Sequence, residues 1–370
     1  MIIGAGFSAN AGLPTTQTVT ESFLSLGESP STPPAIQAAI SDILREFWQD
    51  IFGYDGGAAP SFEDHFTLVD LAANAGHSLG KNYTPARLRA IRRLSIHRVF
   101  DILDTRYAQN DLIGALLTQL AQGSDNTIVS TNWDIVVENH LQHMPDAYSY
   151  RLNTRAIPKG SQPKADTVGK GKDKTKGKMG LLKLHGSANL AYCDSCRQIF
   201  KISGKGTLRQ RIFLEFRDFE TLEKANETVA RDFLGLEKLS CSLCHAPLSA
   251  RVATFSYSKA LGYFQFQAVW DAALRALRKA RTWVFFGYSL PEADFQIRHL
   301  LKTAQIGRAE SPKILVALIR PQDGLPGKDR IRENYMRFFG GKITRFIDTE
   351  AGPGAGDVLL REVTAALTHV

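Results

Sequence analysis

Apolar strands alternating with amphipathic helices fill the C-terminal part of the chain, and no other feature limits the fold so strongly. Thr282-Trp283-Val284-Phe285-Phe286 stops at Gly287, and the runs Ile314 to Ile319 and Ile343 to Ile347 repeat the pattern. Helical spacing fills the gaps, from about Phe266 to Arg278, after Pro291, around Ile331 to Phe338 and from Asp357 to Leu367. Strands apolar on both faces, with helices between them, predict a parallel sheet covered on both sides.

Three earlier runs extend that sheet. Met1-Ile2-Ile3 reads as the end of a buried strand, and its shortness predicts a natural chain that begins further upstream. Thr127 to Ser130 and Leu181 to Leu184 each end in polar residues. Between Pro34 and Gln122 the pattern is helical. Ile36, Ile40, Ile43, Leu44 and Phe47 share one face, and Phe62, Phe66, Leu68, Val69 and Leu71 another. Leu88, Ile91, Leu94, Val99, Ile102 and Leu103 form a third face, and Leu112, Leu116, Leu117 and Leu120 a fourth.

The fold class expected is α/β, a Rossmann-like doubly wound parallel sheet formed by residues 1–33, 123–150, 181–192 and 248–370. A helical module (34–122), a basic loop (151–180) and a metal-binding subdomain (193–247) interrupt it. A helix from about Phe219 to Leu234 is expected inside the last of these.

Composition is that of a globular protein, 44% apolar and 22% charged. No run approaches the roughly 18–20 apolar residues that span a bilayer. The start lacks the basic and apolar regions of a signal peptide, which predicts a cytoplasmic protein without a membrane partner. The net charge of +8 raises the question of nucleic acid. Nine cations between Arg151 and Gly180, against Asp166 and Asp173 alone, account for nearly all of it. That loop is either a solvated insertion or an electrostatic arm for nucleic acid, and its sparse aromatics count against base stacking.

The four cysteines fall into two Cys-x-x-Cys pairs, Cys193/Cys196 and Cys241/Cys244. In a chain without a secretory signal this spacing favours a closed, structural Zn2+ site over disulfides. A redox dithiol pair is the alternative, and His245 is a lesser candidate ligand.

Polar residues cluster where strands end. Gly4-Ala5-Gly6-Phe7-Ser8, with Gly12 beyond, follows the first strand, and such turns let backbone approach a pyrophosphate. A tight turn with no ligand would read the same way. Ser130-Thr131-Asn132-Trp133-Asp134 follows the second. Asn132 can orient a water or ribose hydroxyl and Asp134 can take an amide, although either can equally cap a helix. Leu184-His185-Gly186-Ser187 follows the third, and His185 suits general-base work on a sugar hydroxyl or a purely structural role. Gly287 and Ser289 form another turn that can meet phosphate or ribose. Glu292 and Asp294 behind it read as first-turn helix acids.

In order, GAGFSANAGLP, STNWD, KLHGS, two Cys-x-x-Cys pairs and FGYSLPEADFQIRHLL resemble the sirtuin family. The resemblance is closest to the bacterial sirtuin-like NAD hydrolases of antiphage defence, through the GYSLPEAD segment. It implies a Rossmann-like NAD domain with inserted zinc ribbon and helical module. By motif position Asn132 and His185 look like the catalytic asparagine and histidine, and Asp134 like the nicotinamide-pocket aspartate. Gly4, Ala5, Gly6, Ser8 and Gly12 look like the pyrophosphate loop, with Thr131, Gly287 and Ser289 also on the cofactor. NAD is then a substrate, cleaved to ADP-ribose and nicotinamide. Protein deacylases of the family carry Asp-Phe-Arg where this chain has Thr15-Thr16-Gln17, and Phe-Gly-Glu where it reads Val252 to Lys259. Both departures oppose the alternative of an NAD-dependent lysine deacylase. A non-catalytic NAD or ADP-ribose sensor is the other alternative. The activity is expected to be controlled by a protein partner or by oligomer formation.

Overall fold

The computed structural model describes residues 1–25, 32–104, 106–123, 125–144, 146–152, 154–156, 178–201, 214, 217–218, 240–250, 252, 264–320 and 330–368. The predicted helix at 219–234, most of the basic loop and all but Val252 of the 252–259 segment lie outside them.

The elements, in chain order, begin with strand β1 (Ile2–Ile3) and helices α1 (Ala5–Ala9), α2 (Thr16–Ser22), α3 (Pro34–Phe52), α4 (Phe62–Ala75), α5 (Pro85–Asp104) and α6 (Asp111–Gln122). Strand β2 (Thr127–Ser130) and helix α7 (Val136–His140) follow, then β3 (Tyr148–Ser149), β4 (Thr154–Ala156), β5 (Met179–Lys183), β6 (Leu190–Cys193), β7 (Ile199–Lys201) and β8 (Leu248–Ala250). The chain closes with α8 (Phe264–Lys279), β9 (Thr282–Phe286), α9 (Phe295–Ile306), β10 (Lys313–Arg320), α10 (Arg330–Phe339), β11 (Arg345–Glu350) and α11 (Ala355–Thr368).

Local chemistry sets several boundaries. Proline opens α3 at its first turn, and Gly53, with φ of 67°, closes it in the left-handed conformation. The Ser61 hydroxyl accepts from the Asp64 amide to cap α4, and Asn110 accepts from the Leu112 and Ile113 amides to cap α6. The last strand begins at Arg345 rather than Ile343, because the 3-10 turn at Gly340–Lys342 occupies the preceding residues. The helix expected from Asp134 to His143 is confined to Val136–His140.

Among the described residues seven strands form one sheet in the order β11-β10-β9-β1-β2-β5-β3, every pairing parallel. From β1 the chain winds outward one way through β2 and β5. It then returns to β9, on the other side of β1, and winds outward again. That is the doubly wound, Rossmann-like plan, and β1 is its switch point, where open parallel sheets place ligands at the strands' carboxyl ends. A second, four-stranded sheet, β4-β7-β6-β8, carries the cysteines.

The apolar faces sort into separate cores. The sheet packs with α6, α8, α9 and α11 in the largest, where Ile113, Leu116 and Leu117 of α6 are fully buried. Helices α2 to α5 make their own core around Phe23, Phe47, Trp48, Phe66 and Leu94. The helical stretch 34–122 therefore divides in its packing, α6 siding with the sheet and α2 joining the module. Leu71, expected on the buried face of α4, points outward at 52% exposure. His65 is a core histidine. It accepts from Trp48 Nε1 (2.9 Å) through Nδ1 and donates to Ser95 through Nε2 (2.8 Å), while burial lowers its pKa to about 3. No described helix is long and apolar enough to cross a membrane.

Candidate active site

The carboxyl ends of β1, β2, β5 and β9 bring together the turns singled out from the sequence. The two glycine turns meet backbone to backbone. Gly4 N donates to Phe286 O (3.2 Å) and Gly6 N to Gly287 O (2.9 Å). A Cβ on Gly4 would lie 2.6 Å from Gly287 O, and one on Gly287 would lie 2.0 Å from Phe7 N. Gly287 also has φ of 63°, a region that L side chains rarely adopt. What these glycines supply first is a seam without side chains, and the Gly4 and Gly6 amides are already committed to it. Gly12, with φ of 80°, packs in the same way against the Arg106 carbonyl.

This geometry makes a stability prediction. Gly287→Ala is expected to prise the seam apart and lower the melting temperature by several degrees or prevent folding, since overpacking alone typically costs about 1–3 kcal/mol. Gly341→Ala, with nothing within 4 Å of the added Cβ, is the control, and thermal melting of both variants is the check. Equal melting temperatures would sink the seam.

Asn132, Asp134 and Ser8 form a connected group at the mouth of β1 and β2. Asn132 Nδ2 donates to Gly4 O (2.9 Å) and to Ser8 Oγ (2.9 Å). Ser8 Oγ in turn donates to Asp134 Oδ2 (2.7 Å). Asp134 Oδ1 accepts the Val136 amide (3.0 Å), so Asp134 also restrains the start of α7. An ionised carboxylate has about four acceptor positions, so both bonds leave it room for a ligand amide. Ser8, expected on the pyrophosphate turn, is buried and its hydroxyl joins the Asn132 and Asp134 side chains.

His185 reaches the start of the same loop from the end of β5. Its Nδ1 lies 3.0 Å from Thr131 O. A carbonyl only accepts, so Nδ1 carries the proton, and in the neutral ring Nε2 is the basic nitrogen. The His185 ring, distant in sequence, is thus bonded to the main chain of the loop that carries Asn132 and Asp134. Asp134 also borders an apolar hollow with Leu13, Phe100, Leu103, Tyr107 and Ala188. Trp133, between Asn132 and Asp134, stacks on Phe100 of the helical module with ring centroids 5.6 Å apart.

The GYSLPEAD turn is held mainly from behind. Tyr335 donates to Tyr288 O (2.6 Å), Asn334 to Ser289 O (3.2 Å), and Tyr288 to Asp294 Oδ2 (2.8 Å). Burial beside Asp294 pushes the Tyr288 phenol well above its usual range. Asp294 is structural here, and Glu292 pairs with Arg337 at the surface (2.9 Å).

The four cysteine Sγ atoms all lie within 4.8 Å of one another. Cys193–Cys244 and Cys196–Cys241 are 3.4 and 3.5 Å apart, too far for disulfides at about 2.05 Å. Thiolates about 2.3 Å from a tetrahedral Zn2+ stand roughly 3.8 Å from each other. The donor set therefore fits such an ion, and His245, exposed, is not part of the cluster.

Sequence reasoning missed a buried polar group behind the site, formed by Lys183, Glu138, Tyr150 and Asn189. A lysine inside the apolar run Leu181–Leu184 was its one visible sign.

No family model matches the chain, and no curated protein does. Among solved structures, a Sir2 enzyme with a p53 peptide and NAD+ aligns at 13% identity and TM-score 0.39, covering 100% of this chain and 92% of that one. A mutant Sir2 homologue with ADP-ribose aligns at 16% identity and TM-score 0.40, over 99% and 92%. A Sir2 protein bound to a myristoylated histone peptide gives 15% and 0.35, over 76% and 82%. At such identities and scores, the function has to be argued from this chain's own residues.

Proposed function

We propose that the chain is a sirtuin-like enzyme that cleaves the nicotinamide–ribose bond of NAD, with water as acceptor. The observation that supports it most is that Asn132 and Asp134, on the loop after β2, and His185, on the turn after β5, lie at the carboxyl ends of neighbouring strands beside the switch point, with the His185 ring bonded to the main chain of the Asn132–Asp134 loop. Asp134 accepts the carboxamide. The Asn132 carbonyl oxygen orients the attacking water, and His185 Nε2 polarises a ribose hydroxyl. As the bond breaks, its electron pair passes to the pyridinium nitrogen, so nicotinamide leaves neutral. Water adds to the anomeric carbon and loses a proton, giving ADP-ribose. NAD lies across the 4–8 turn, with Thr131, Gly287 and Ser289 on the ribose side. Cys193, Cys196, Cys241 and Cys244 hold a structural Zn2+ that takes no part in the chemistry.

Incubation with NAD, with and without an acetylated peptide, tests the scheme. Nicotinamide and ADP-ribose in the absence of peptide are expected. O-acetyl-ADP-ribose formed only with peptide would make the chain a deacylase, and binding without turnover would make it a sensor. Depletion of NAD in antiphage defence is the cellular role proposed, on the GYSLPEAD resemblance. Phage plating on cells carrying the wild type or His185→Ala should differ, and equal plating removes that role.

A further inference from the structure

Lys183 stands at the end of β5, two residues before His185, with its side chain only 2% exposed. Its ammonium donates to the Asp134 carbonyl and lies 3.7 Å from Glu138 Oε1 on α7. Glu138 Oε1 also accepts from Tyr150 (2.8 Å), whose hydroxyl accepts from Asn189 Nδ2 (2.8 Å). His185 and Lys183 therefore grip the functional loop at its two ends, one at the Thr131 carbonyl and the other at the Asp134 carbonyl.

Stability alone does not account for this cluster. Ions removed from water recover their desolvation cost only with excellent geometry, and buried pairs are often replaced by apolar residues at no loss. Here Glu138 Oε2, Asn189 Oδ1 and Ser187 Oγ are buried and accept no hydrogen bond from any described residue, a further cost. The pair is poorly arranged for stability and well placed for holding a loop.

We infer that the buried Lys183–Glu138 pair is a positioning device for the Asn132–Asp134 loop, Lys183 fixing the main chain of Asp134 and Glu138 holding the lysine in place. Neither residue touches substrate. The inference deepens the proposed NAD cleavage and rests on it for its kinetic arm only.

The test pairs Lys183→Met with Lys183→Met/Glu138→Leu. The single variant strands a buried carboxylate and is expected to melt low. The double variant removes both charges and is expected to melt above the single variant, short of the wild type only by the Tyr150 hydrogen bond lost with Glu138. Its kcat for nicotinamide release should nonetheless fall about 10²-fold with KM little changed, as misplacement on the order of 1 Å does. Exchange of the Val136 amide, which Asp134 caps, should quicken about tenfold or more, the equilibrium worth of one charged hydrogen bond. A double variant with wild-type kcat and wild-type exchange overturns the inference. One that melts far below the wild type does so too, because the pair is then structural. If the wild type releases no nicotinamide, the proposed function fails while the exchange measurement still decides the role of Lys183.

Discussion

His185→Ala is expected to cut nicotinamide release by about 10²–10⁴-fold, the usual contribution of a positioned general acid or base, with the fold intact. The ring's hydrogen bond to the Thr131 carbonyl is worth about 1 kcal/mol, and its loss alone should lower melting by only a few degrees. His185→Asn separates two explanations. Its amide can occupy the place of Nδ1–H and keep the bond to Thr131, while offering no basic nitrogen. A general base predicts that both variants are nearly silent at saturating NAD and still bind it. Recovery of activity in the asparagine variant would make His185 a loop anchor, and near-wild-type turnover in the alanine variant would remove it from the chemistry.

The candidate residues could be singled out because each lies in a short segment whose chemistry is local. A glycine pair after a strand, Asn and Asp after the next, and His-Gly after a third are all visible without a structure. A parallel sheet then ensures that such ends are neighbours, because every strand finishes on the same side. The partners of those residues were not legible. Nothing in the sequence says that the Ser8 hydroxyl turns inward to join Asn132 and Asp134, since its turn equally suits a phosphate. Lys183 reads as a solvated cation unless Glu138 is known to lie opposite.

Allegiance between elements was hidden for a related reason. Periodicity shows that α6 has an apolar face, and the face is buried as expected. It does not show which of two cores receives that face, because both are lined by the same aliphatic residues. Leu71 shows the converse limit. At the margin of an apolar stripe, a leucine is buried or exposed according to what packs beside it, and here nothing covers most of it.

Loss of the metal site should be the most damaging change outside the active site. Freshly purified protein is expected to contain about one Zn2+ per chain, and Cys241→Ser or a strong chelator should unravel the cysteine-bearing sheet. Among the described residues the core of that sheet is small: Ala191, Cys193, Phe200, Cys241 and Leu248 are its buried apolar members, and two of them are candidate ligands. Structural zinc contributes on the order of 10–16 kcal/mol in small fingers, as much as the whole stability of a typical domain. The damage should also reach the site, because β6 begins immediately after Asn189, whose amide donates to the Tyr150 hydroxyl in the group behind Asp134. Metal analysis, chelator-dependent melting and nicotinamide release by the stripped protein measure these steps in turn. Zinc-free protein with an unchanged melting curve would return the four thiols to a redox pair and leave the ribbon to stand on its strand pairings alone.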